Sequence, residues 1–188
     1  EPLFSGHQNG TITLNLNEAD DAHREATRVS FGEPQRTVLG HLRHELAHYL
    51  YQRFVDGWPE IATFREIFGD ERADYPAALQ HHYEQGPAAN WQQHFVSAYA
   101  GSHPWEDWAE TWAHYIHMVD ALDTAEAEGM EPRAAGMLQG TAWPYQSSDV
   151  YRDATFESLM ERWVPLSLAM NNLTRSMGHM DFYPFVIS

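Results

Sequence analysis

Histidine, glutamate and histidine stand at positions 44, 45 and 48 in the run RTVLGHLRHELAHYLYQRF, Arg36 to Phe54. On a helix, residues four apart lie one above the other on a single face. His44 and His48 can therefore share one zinc ion, and the Glu45 carboxylate can reach a water on that metal. The chemistry this supports is metal-assisted hydrolysis. With twelve histidines in the chain, chance matches count: a random chain of this composition would contain His-Glu-x-x-His roughly 6% of the time. The plain alternative is an exposed His/Glu face on a surface helix. Two features oppose it. Leu46 and Ala47 are uncharged, and Val38, Leu39, Leu42, Leu46 and Leu50 form an apolar stripe that predicts a buried helix.

A catalytic zinc takes a third protein ligand and leaves the fourth position to water. There is no cysteine, so that ligand must be a histidine or an acid. Glu106 and Glu110 lie four apart in PWEDWAETWAHY, interleaved with Trp105, Trp108, Trp112 and Tyr115. A carboxylate among tryptophans is costly to bury unless it is paired or bound to metal. Glu106 also suits the first turn of a helix for its charge alone, and Glu110 suits an ordinary ion pair to an arginine. Spacing leaves Glu106, His103, His114 and His117 as candidates for the third ligand. Asp70, Glu71 and Asp74 read as a salt-bridged turn with Arg65 and Arg72. His41 reads as a histidine flanking the site, and the adjacent His81 and His82 as surface residues.

These residues need elements to hold them. Thr11 to Leu16, TITLNL, alternates as a strand does and follows a turn-rich entry at Gly6 and Gly10. Asn17 caps a polar helix over about 18–29, which Gly32–Pro34 ends. The HELAH helix follows and stops at Gly57–Pro59. Residues 61–83 read as helical with a break at Gly69, and Pro76 opens a short helix that Gly86–Pro87 closes. Asn90 to Tyr99 reads as helical. Pro104 starts a second major helix, to about Glu126. Gly129 to Ser148 reads as irregular, and a last long segment spans Val150 to Met177, with Pro165 expected to kink or split it after Trp163. The closing DFYPFVIS is apolar enough to dock on the body. The pattern is α+β, mainly α, with one small N-terminal sheet and long helices carrying the site.

Composition limits the function. At 188 residues, 43% hydrophobic and 13% aromatic, the chain reads as a single domain spanning 1–188 with a sizeable core. Lysine is absent, and 27 acids against 11 arginines give a net charge of −16. Nucleic acid is disfavoured as a partner, because phosphate binding needs basic patches. No apolar run reaches the length of a membrane span. The first residues, EPLFSGHQNG, lack the pattern of a signal peptide, and with no disulfide to form the expected compartment is the cytoplasm. A monomer is favoured.

HELAH followed by EDWAE resembles the gluzincin metallopeptidases, and more closely the catalytic domain of anthrax lethal factor, with its Glu-x-x-Ala-Glu-x-aromatic pattern and a tyrosine seven residues before the first glutamate. Here these are Glu106 and Tyr99. From about Gly6 to Ser188 the chain also resembles a bacterial family of zinc-binding metallopeptidases, through GHQNGTITLN, RHELAHY, FGDERADY, HPWEDWAETWAHY and DFYPFVIS. Members usually carry an N-terminal zinc ribbon with paired cysteines, which is not present in these residues. The resemblance implies a zincin-like fold, Zn2+ as cofactor, and a peptide or protein substrate. It implies His44, His48 and Glu106 as metal ligands, Glu110 as the acid orienting a zinc-bound histidine, and Tyr99 as a donor to the developing oxyanion. Tyr99 reads equally as a buried aromatic at a helix end. The expected activity is a zinc metalloendopeptidase with Glu45 as general base and TITLNL at the cleft rim, where an edge strand could pair with an extended substrate. The alternatives are a zinc-binding scaffold without turnover, and a nucleic-acid-associated protease that would use a third histidine and that the acidic charge opposes.

Overall fold

A computed structural model describes residues 5–130, 151 and 155–185. They gather into two compact units, one ending at His114 and the other beginning at Tyr115. Among the described residues, most of the regular structure is helical, and no helix is long and apolar enough to cross a membrane.

The first unit opens with a hairpin, β1 (Gly6–Gln8) against β2 (Thr11–Thr13), in antiparallel register with His7 opposite Ile12. Asn9 and Gly10 join them, both at positive φ (49° and 78°). Asn-Gly is the favoured pair for such a turn, because its twist matches that of the strands. The TITLNL strand is therefore shorter than expected: Leu16–Ala19 turns into a 3-10 helix, and Asn15 rather than Asn17 caps it. The polar helix is α1 (Asp21–Phe31), capped by Asp20 and closed by Gly32 in the left-handed region.

The HELAH segment forms α2 (Val38–Leu50), whose Thr37 side chain accepts the Gly40 N–H. It widens into a π-helical turn at Tyr51–Val55. Next come α3 (Ile61–Phe68) and α4 (Tyr75–Gln85). Asn90 to Tyr99 is not one helix: it holds a single 3-10 turn at Trp91–Gln93, and another follows at Ala100–Ser102. The second major helix, α5 (Pro104–Ala127), begins in this unit. Tyr51, Val55 and Phe64 form the apolar core, flanked by Ile61, Phe68, Trp105 and Trp108. The face of α2 that carries Ala47 and Tyr51 is the buried one, while Leu39, Leu42 and Leu46 on the opposite face remain 39–50% exposed. The leucine stripe thus gave the right helix and the wrong packed face.

In the second unit, α6 (Phe156–Ser176) starts from a Thr155 cap. Pro165 neither splits nor ends it. The lost hydrogen bond to the Glu161 carbonyl is offset by burial, since Pro165 lies between buried Trp163 and Leu166. These two pack with Met118, Val119, Leu122, Leu159 and Tyr183. The closing segment docks as expected where it is described: Asn171 donates to the Tyr183 carbonyl (3.0 Å) and accepts its N–H (2.8 Å). The expected irregular stretch at Gly129–Ser148, the start of the last segment at Val150 and the final three residues lie largely or wholly outside the described residues.

Candidate metal centre

His44 and His48 project from one face of α2, as their spacing requires, with their Nε2 atoms 3.1 Å apart. Opposite them the first turn of α5 presents Glu106, only 1% exposed, with Oε2 3.0 Å from His44 Nε2 and 3.5 Å from His48 Nε2. The two helices come this close because Ala47, between the histidines, has no exposed surface, and neither does Ala109. Trp108 adds a direct tie, its indole N–H donating to the Ala47 carbonyl at 2.9 Å.

The partners of His44 set its chemistry. Its Nδ1 donates to Glu110 Oε1 at 2.7 Å, and the other Glu110 oxygen accepts from Ser97 at 2.7 Å. With one proton on Nδ1, His44 in the neutral form that binds a metal directs a lone pair from Nε2 toward His48 Nε2 and Glu106 Oε2. Glu106 Oε2 is buried with no hydrogen bond. Nitrogen and oxygen donor atoms converging within 4.8 Å, from two part-buried histidines and a buried carboxylate, could hold a metal ion, and two imidazoles with one carboxylate suit zinc. The donor set fits that metal.

The electrostatics agree. Burial works to lower the pKa of His44, but the Glu106 and Glu110 carboxylates beside it overcome this and push it up to about 10, so a metal binding at Nε2 displaces a proton. Glu106 is held below the usual carboxylate range: burial opposes this, and the contacts with His44 and His48 outweigh it. Both shifts record a site built to hold positive charge.

Glu45, next to His44, has its carboxyl raised above the usual range, first by burial, while the nearby histidines pull the other way and the His7 backbone N–H donates to it. Strand β1 thus brings its backbone to the site. Tyr99 brings its ring to 6.1 Å from that of His44. Burial and then the Glu106 charge push its hydroxyl well above the usual phenol range, so it stays a donor.

Among the described residues, the one group of histidines and acids able to hold a metal is His44, His48 and Glu106. The rival ligands do not join it. His103 sits before α5 with both ring nitrogens in use, Nδ1 accepting the Trp105 N–H and Nε2 donating to the Ala73 carbonyl. His114 is buried further along α5, and burial lowers its pKa. His41 leans toward buried Glu18, 3.8 Å away. Asp70 and Glu71 pair with Arg72 and Arg65, and Asp74 caps α4. His82 is not a plain surface residue, since its ring packs edge-on to Tyr99 at 5.7 Å. Sequence reasoning missed three contributors: Ser97, the His7 backbone and Tyr75, whose hydroxyl donates to Glu106 Oε1 at 2.6 Å. Ser97 left no signal. The other two sit in GHQNGTITLN and FGDERADY, runs already singled out without a task.

No solved structure matches the chain. Uncharacterized proteins of Mycobacterium bovis and Mycobacterium tuberculosis are 47% identical over 188 residues, covering 100% of this chain and 52% of theirs. The chain therefore spans about half the length of these curated relatives. Residues 1–188 match the family described as "Putative zinc-binding metallo-peptidase", and it is to this family that the chain belongs.

Proposed function

We propose that the chain is a gluzincin-like zinc metalloendopeptidase with His44, His48 and Glu106 as the metal ligands. The observation carrying this reading is the convergence of three donor atoms from two part-buried histidines and buried Glu106, whose Oε2 is unbonded, with the Tyr99 ring 6.1 Å from that of His44. Zinc held there would supply Lewis-acid polarisation of a scissile carbonyl and a more acidic water. Glu45 takes the proton of the attacking water and hands it to the leaving amine; its raised pKa suits a group that must first accept and then donate. Tyr99 donates its hydroxyl proton in a hydrogen bond to the developing oxyanion. Glu110, braced by Ser97, fixes the tautomer and orientation of His44. The ligand pattern and the HELAH…EDWAE resemblance to the lethal factor catalytic domain support the gluzincin assignment. The activity of the whole protein, which in the relatives is about twice as long, is part of the proposal.

The test is cleavage of a mixed peptide library by zinc-loaded protein. Glu45→Gln should lower cleavage by at least about 100-fold while zinc stays bound. A variant that keeps its activity overturns the general-base assignment. Wild-type protein that binds zinc and cleaves nothing leaves the scaffold reading instead.

A further inference from the structure

Between α3 and α4 the chain runs through FGDERADY, 68–75, whose last residue reaches the proposed ligand Glu106. The path is fixed at each step. Gly69 leaves α3 at φ 95°, ψ −176°, a conformation for glycine alone. Glu71 is buried and bound to the Arg65 guanidinium, with Nε to Oε2 at 2.9 Å. The Ala73 carbonyl accepts from His103 Nε2 at 3.2 Å, which ties the loop to the residue just before α5. Asp74 caps α4 through the Ala77 N–H at 3.1 Å. Tyr75 then enters α4 with its ring perpendicular to His103 at 5.0 Å and tilted on Trp105 at 5.4 Å. Its hydroxyl donates to Glu106 Oε1 at 2.6 Å.

This hydrogen bond has a chemical consequence. A carboxylate offers a metal two equivalent oxygens unless one is engaged. Oε1 is engaged by Tyr75, and Oε2 is the oxygen left buried, unbonded and facing the two histidines. Packing does not require the hydroxyl, since a phenyl ring would fill the same place between His103 and Trp105.

From this we infer that Tyr75 is a positioning residue for the metal, holding Glu106 as a one-oxygen ligand, and that FGDERADY serves to deliver its hydroxyl. The assignment rests on the metal-centre reading above. It acts through Glu106, as partners of metal-bound carboxylates do, where their loss weakens metal affinity by about 10- to 100-fold.

The test is Tyr75→Phe, which removes one oxygen and keeps the ring. Zinc affinity is measured by competition with a fluorescent chelator, and the cobalt(II) form is compared by visible spectroscopy, which reports the ligand set directly. The expected result is a zinc affinity about 10- to 100-fold weaker, with the cobalt bands altered as the freed Oε1 turns to the metal. Circular dichroism and melting of the metal-free variant serve as the folding control. Should that variant also melt early, the cobalt spectrum decides: altered bands support the assignment, and wild-type bands overturn it. A variant with wild-type affinity and spectrum overturns the role of Tyr75 alone. A wild-type protein that takes up no zinc or cobalt overturns the metal centre, and the assignment with it.

Discussion

Glu106 and Glu18 are both buried carboxylates, and the difference between their partners separates a site from a strut. Glu106 leaves one oxygen unbonded between two imidazoles. Glu18 has both oxygens taken by the Arg36 guanidinium, at 2.7 and 3.0 Å, and Arg36 also holds Glu33. That guanidinium keeps the Glu18 carboxyl below its usual 4.5 although burial opposes it. A depressed carboxylate adds stability that is present above the unfolded value and lost as pH falls through the folded one. Glu18→Gln should therefore cost about 2 to 3 kcal/mol at pH 7, and the gap from wild type should close below pH 4.5. Urea unfolding at pH 7 and pH 3 checks this; an equal gap at both would mean the pair adds nothing through charge. At this scale the sequence was most legible where helix period sets contact, as for His44 and His48. Tyr75 and Glu106 lie 31 residues apart, and no local period joins them.

Elements were legible where a turn or cap residue has a single physical use. Gly32 and Gly86 close helices as the sequence predicts, whereas Thr37 carries no such expectation and Asp74, expected in a salt-bridged turn, is a helix cap. The hairpin is half legible: alternation predicts a strand at TIT, while β1 is too short to alternate and only the Asn9-Gly10 turn betrays it. Periodicity found α2 but chose its packed face wrongly. An apolar stripe identifies an amphipathic helix without naming the neighbour, and here small Ala47 and aromatic Tyr51 face the core while three leucines do not. Gly69 tests how far the site depends on loop geometry. A Cβ there would meet Pro104 Cγ at 3.3 Å, on a backbone at φ 95° that L residues rarely adopt. Gly69→Ala should destabilise the protein by about 1 to 3 kcal/mol and weaken zinc affinity, because the strain falls on the loop that delivers Tyr75. A melting temperature and affinity both equal to wild type would show that the loop tolerates another path.

For the molecule as a whole, composition predicted a substantial core, and the described residues hold two: the aromatic cluster around Tyr51 and Phe64, and the cluster around Leu159 and Trp163. Seven tryptophans and nine tyrosines announce buried area without dividing it, so the reading of one domain and the two compact units call for a measurement. All three proposed ligands lie before His114, in the first unit. A ligand that binds only the folded state slows exchange of any amide that opens by unfolding the region that holds it, by about 100-fold when free ligand is a hundred times its dissociation constant. Hydrogen exchange with and without zinc should therefore show slowing of that order in peptides from α2 and the start of α5, and little change in α6. If α6 slows equally, residues 1–188 unfold as one cooperative domain. If no peptide slows while zinc is bound, the metal is held elsewhere than on His44, His48 and Glu106, because ligands drawn from two helices cannot bind it without resisting the separation of those helices.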